Sequence, residues 1–212
     1  MAELLEQLDR VHPEYAEMAN YWRRARMLYE GGAKLLDNAS DFLVQRPLEP
    51  LRLYQMRLGM FTYQNILGTA LGWYRSALFA EEPQIYLQRE KQRVQDKWFA
   101  SFLVDADRRG CSLADLMQEW FTAGAVDGRV YVLVDLPEST IAPRSLAEQR
   151  QAGQLDPYLV TFKAQDVTNW SRDEYGNFEW VLIKSRAERS TLAEGHKITD
   201  RWYYFDRETY TI

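Results

Sequence analysis

The chain has 212 residues, a net charge of −5, seven Trp, two His and one Cys. Hydrophobic residues at 46% and charged residues at 27% describe a globular protein long enough to bury a sizeable core, and exclude an extended disordered chain. A single Cys excludes an intrachain disulfide framework and a thiolate zinc site, and the acidic balance argues against a protein that coats nucleic acid by bulk positive charge.

The start, Met1 to Glu6, is acidic and has neither the basic entry nor the apolar centre of a signal peptide. No apolar run approaches bilayer-spanning length. The expectation is a chain kept in a reducing cytoplasm. Up to about residue 127 the apolar spacing is helical. From Gly128 onward, short apolar runs alternate with turn chemistry, which predicts strands. The whole reads as an α+β fold: N-terminal helices packed on a C-terminal, mostly antiparallel sheet of about four to six strands.

The first helix is predicted to open at His12-Pro13, because proline at a first helical position loses no hydrogen bond. Tyr15, Met18, Ala19, Trp22, Arg26 and Tyr29 share one of its faces, and Gly31-Gly32 supplies the left-handed stop. A loop over 37–49 precedes Pro50. One long helix is then expected to about Phe79, apolar on nearly every side and therefore buried, with Trp73 in the core. Gly68 and Gly72 are expected to mark a close helix contact. A third helix is read over 87–109, solvated in its first half and apolar in its second. Ser112 with Asp115 is an approximate capping box opening a fourth, with Leu113, Leu116, Met117, Trp120 and Phe121 inward.

Residues 129–134 are apolar on both faces, which predicts a strand central in its sheet. Residues 138–156 read as a surface excursion with a short helix over 145–151. Further strands are expected over 158–162, 178–185, 202–205 and 209–212, with turns at 173–177 and 206–208. The last run ends bare and apolar at Ile212, which reads as a chain cut inside a larger sheet.

Chemistry-bearing residues are sparse. There is no Walker loop, no G-x-G-x-x-G and no G-x-S-x-G. Cys111 precedes a helix start, where a thiol pKa can fall, but no His is within reach in sequence and a packed residue is the better reading. His12 reads as a cap and His196 as loop material. Asp105 with Asp107, and Asp166 with Asp173, are read as turn caps and solvated groups rather than an acid–base pair. Arg23 and Arg26 share a helix face, a basic point read as solvated, with Arg26 paired to Glu30. Trp98, Trp120, Trp180 and Trp202 suit the core; Trp170 is open between core and interface. No catalytic, cofactor-binding or metal-binding residue is assigned, and no enzyme activity, metal or cofactor is expected.

The order of the pieces adds a reading of its own. His12-Pro13-Glu14-Tyr15 and Trp22-Arg23-x-x-Arg26 open the chain, and Gly128 to Pro137 follows the apolar helices. Pro157-Tyr158-Leu159-Val160 leads to Asp166-Val167-Thr168-Asn169-Trp170; a turn at Gly176 precedes Phe178 to Ile183, and Arg201 to Asp206 follows. In this order the chain resembles the N-terminal half of a tailed-bacteriophage or prophage portal protein.

The resemblance implies a non-enzymatic, structural role: the wing region of a subunit that, in full length, forms a ring at one capsid vertex. Its implied partners are other portal subunits, capsid protein, terminase, head–tail connector proteins and double-stranded DNA passing without sequence-specific binding, with no membrane. The implied location is the virion, and the host cytoplasm during assembly. The implied organisation is one compact wing-like unit made of a helical region 1–127 and a β-rich region 128–212. Two other classes compete: a cytoplasmic adaptor binding through a sheet edge, and a small-ligand-binding α+β domain using the 138–156 segment.

Overall fold

The computed structural model describes residues 7–89, 92–94, 96–137, 156–191, 195–208 and 210–211. Apart from one short hairpin, helices come first and strands after, with antiparallel pairing in the main sheet, so the chain is an α+β protein. It divides into two compact units: residues 1–24 with 162–212, and residues 25–161. This division does not follow the change of periodicity at Gly128, because the start of the first helix folds with the late strands.

The first unit is built on a four-stranded sheet, ordered β5-β6-β7-β8, in which β5 is Val167–Arg172, β6 Phe178–Thr191, β7 Gly195–Asp206 and β8 Tyr210–Thr211. All three pairings are antiparallel. Helix α1, Pro13–Glu30, enters this unit through its first turns. His12 caps it as the sequence predicts: its carbonyl accepts from Ala16 N–H at 3.0 Å and its Nδ1 accepts from Glu14 N–H at 3.2 Å. The cap is tied to β5 by His12 N–H donating to the Thr168 carbonyl at 3.0 Å and by the His12 ring stacked on Trp170, centroids 4.1 Å apart. Trp170 is therefore core, 4% exposed, and Val167, Leu182, Ile183 and Trp22 are buried with it. Full burial of side chains of this size stabilises by about 1.5–3 kcal/mol each, as an upper estimate.

Strands β6 and β7 run well past the 178–185 and 202–205 expected, pairing in register from Trp180–Asp206 to Thr191–Gly195. Their neighbours stop early. Pairing with β5 ends at Val167–Ile183, and β8 meets only Tyr204 and Phe205. Beyond Lys184 the hairpin continues as a two-stranded ribbon of roughly 25 Å, at about 3.4 Å per residue. His196 lies in this ribbon opposite Ser190, not in a loop.

The second unit holds the remaining helices. Gly31, at φ +65°, ends α1, but the chain re-enters a helix at once as α2, Gly32–Asp37. The single long helix expected over 50–79 is two: α3, Leu51–Gly59, and α4, Ile66–Leu78. The break has a tertiary cause. Tyr63 Oη donates to the Leu28 carbonyl at 2.6 Å and Asn65 Nδ2 to the Tyr29 carbonyl at 2.7 Å, so side chains in the break satisfy the bare C-terminal carbonyls of α1. Asn65 also caps α4, its Oδ1 accepting from Gly68 N–H at 2.7 Å.

The helix expected over 87–109 is also shorter. Leu87–Arg89 and Gln92–Val94 pair as an antiparallel hairpin, β1 and β2, and only Lys97–Val104 is helical, as α5, with Asp96 as its cap. Helix α6, Leu113–Asp127, keeps the predicted capping box: Asp115 N–H donates to Ser112 Oγ at 3.1 Å, and Ser112 Oγ donates to Asp115 Oδ2 at 2.7 Å. Ala106, Leu116 and Leu159 form a buried cluster with Phe102, Leu113 and Trp120 against it. Among the described residues, strand β3, Val130–Asp135, pairs only with β4, Tyr158–Lys163. It is not central: Val132 and Val134 are 39% and 65% exposed. The helix expected over 145–151 lies outside the described residues.

Candidate interaction surfaces

The titratable residues singled out in the sequence are spread among structural tasks. Asp107 Oδ1 accepts from Arg109 and Cys111 N–H, and Asp105 Oδ1 accepts from Gly110 N–H, closing the turn before α6. Burial pushes the Asp107 carboxyl up, but these backbone donors outweigh it and hold its pKa below the usual range. Asp166 Oδ2 accepts from Lys163 N–H. Asp173 accepts from Tyr175, Asn177 and Arg207, the last at 2.7 Å. Each carboxylate is thus a turn cap, as expected.

Cys111 is half-buried beside the core cluster. Burial and the neighbouring Asp107 charge raise its thiol pKa, so the helix start does not activate it. Arg23 is bonded to Asn20 Oδ1 at 2.9 Å. Arg26 pairs with the buried Asp127 of α6, not with Glu30. Among the described residues no group of three or more His, Cys, Asp or Glu is placed to hold a metal ion, and no helix is long and apolar enough to cross a membrane.

Two features of the described residues stand apart from these structural tasks. One is a cavity of about 520 Å³ on one face of the four-stranded sheet, walled by Leu8, Asn169, Trp180, Leu182, Trp202 and Tyr204. Trp180 and Tyr204 stack in its wall, centroids 6.2 Å apart, and the buried indole N–H of Trp202 has no acceptor among the described residues. Trp180 and Trp202 are thus half-buried rather than core.

The other is a run of exposed apolar side chains on α3 and α4. Met56, Met60, Ile66, Tyr74 and Leu78 are each more than half exposed, and Trp73 is 80% exposed. The sequence places these residues in a core; the unit leaves them in solvent. Gly68 and Gly72 make no close helix contact either. A Cβ at Gly72 would meet nothing, and one at Gly68 would strike the Asn65 side chain that caps the helix. Scattered exposed apolar residues are ordinary, but a sustained run on two consecutive helices is the signature of a surface that another surface covers.

No protein-family model matches the chain, and no curated protein matches it at a significant level.

Proposed function

We propose that the chain is a structural assembly protein, the wing region of a tailed-phage or prophage portal subunit. It works by presenting surface to other subunits rather than by chemistry. The observation that carries this reading is the apolar run of α3 and α4 left in solvent, with Trp73 at 80% exposure. The motif order from His12 to Asp206 gives the assembly its identity. Capsid protein, terminase and head–tail connector proteins are the further partners this reading names, with DNA passing a net-negative surface that does not hold it.

Gene order around the coding sequence and mass spectrometry of particles from an induced lysate test it. A terminase large-subunit gene upstream, a capsid gene downstream and peptides of this chain in purified heads are expected. Flanking metabolic or regulatory genes and no peptides in heads would overturn it.

A second reading, a small-ligand-binding domain, draws on the Trp-walled cavity and its unanswered indole N–H. It predicts that a planar, uncharged compound bearing a hydrogen-bond acceptor changes the tryptophan emission saturably, and that Trp202→Phe weakens the change. Emission that ignores such compounds removes this reading.

A further inference from the structure

The ribbon beyond Lys184 carries a second surface. Residues that pair directly across an antiparallel hairpin project to the same face. One face takes Lys184, Arg186 and Glu188 with Asp200, Ile198 and His196, and its charges are internally matched: Lys184 Nζ lies 3.0 Å from Asp200 Oδ2, and Arg186 Nε 4.0 Å from Oδ1. The opposite face takes the pairs Ser185–Arg201 and Ala187–Thr199, with Lys197 in the same alternation. It holds cations and small residues and no carboxylate. Lys197 and Arg201 are exposed and have no acidic partner among the described residues. Isolated two-stranded hairpins are marginal in water. Among the described residues no strand flanks this one on either side, so both outer edges present unpaired backbone groups.

We infer that this ribbon is an arm that docks, through its cationic face and open edges, on the acidic body of a second copy of the chain. Charge complementarity selects that occupant. From Lys184 to Arg201 the chain has five Lys or Arg against three carboxylates, while the whole chain is net −5, so the rest of the molecule carries all of the negative excess. The arm is attracted to another copy's body, whereas a nucleic acid reaching the arm meets the repulsion of its own body. Arm on body is a heterologous contact, using different patches on the two copies. Repeated with closure it makes a ring, and an isologous dimer is not its product. The inference rests on the ring reading for its biological setting, but not for its test.

The test places a photo-crosslinking amino acid at Thr199, which is exposed and pairs with Ala187 on the cationic face, in the full chain at high concentration and low salt. Adducts of twice the chain mass are expected, mapping from the arm to peptides outside 184–201. Lys197→Glu with Arg201→Glu should cut their yield about tenfold with the melting temperature unchanged, and raising salt to about 1 M should do the same to the wild type. Arm-to-arm adducts, no adducts, or a yield indifferent to charge reversal would overturn the inference. So would charge reversal that abolishes binding of a labelled DNA duplex while leaving the adducts intact. Arm-to-body adducts from a chain absent from phage heads keep the arm and remove the portal reading; peptides in heads without adducts do the converse.

Discussion

Asp127 closes α6 with its side chain fully buried, at the helix end where the dipole disfavours negative charge. Arg26, 17% exposed, answers it from α1. Removing one member of such a pair strands the other charge out of water. Asp127→Ala is expected to destabilise by about 3–5 kcal/mol, and replacing both Arg26 and Asp127 by apolar residues by distinctly less. Thermal melts of the four proteins of the double-mutant cycle check this; additive losses would show that the pair does not couple. Sequence spacing matched Arg26 to Glu30 because a helix neighbour is the only partner a local pattern can offer. A partner about a hundred residues away is invisible to it.

At Asp173, burial raises the pKa, but hydrogen bonds from Asn177, Arg207 and Tyr175 outweigh it and hold the pKa below the ordinary value. The folded state therefore binds the proton less readily than the unfolded one. Its contribution is complete above the ordinary carboxylate pKa and is lost as pH falls through the lowered one. Asp173→Asn should lower the melting temperature near neutral pH, and the two proteins should converge as the pH falls below the lowered pKa. A gap that persists in acid would assign the turn's stability to shape rather than charge.

Helix α4 shows how one cap organises an element. Asn65 serves the first turn of α4 and the last of α1 with a single side chain. Asn65→Ala is expected to cost about 1–2 kcal/mol. Gly68→Ala should cost a comparable amount by displacing the same amide, and Gly72→Ala should stabilise by about 0.5–1 kcal/mol in an open helix position. Melting temperatures that rise for both glycine variants would remove Asn65 from this role. Where caps are local, as at His12 and Ser112, the sequence marks the helix ends. The break between α3 and α4 depends on carbonyls of α1, and its only local sign was a capping residue inside an apolar run. Trp73 was misplaced for a related reason. Periodicity tells which residues avoid water, but not whether their own chain supplies the cover. Trp73→Ser should therefore change stability by less than about 0.5 kcal/mol, as surface changes do, while lowering binding of an apolar dye.

At the scale of the whole molecule, the apolar run of α3 and α4 and the cationic face of the ribbon coexist with an acidic total charge. Stable specific interfaces bury about 1,200–2,000 Å², and a two-stranded ribbon roughly 25 Å long offers one narrow contact face. Light scattering at micromolar concentration is expected to give a monomer or a weak, salt-sensitive associate. A tight dimer covering the apolar run of α3 and α4 would favour the adaptor reading instead. The late strands were readable from turn chemistry at 173–177. That they continue as a ribbon was not, since nothing in the alternation of residues 184–201 tells a paired strand inside a sheet from one outside it.

The first compact unit is assembled from both ends of the chain, 1–24 and 162–212, with the second unit between them. On the ribosome this fixes an order of events. Residues 25–161 emerge complete and can close their helical core while translation continues. The start of α1 must wait for β5, from which Thr168 and Trp170 reach back to His12 across more than 150 residues. Until then its apolar face has no sheet to cover it. The nascent chain thus passes through a stage with one unit folded and an aromatic helix face bare, and that interval is when a holdase chaperone would meet it.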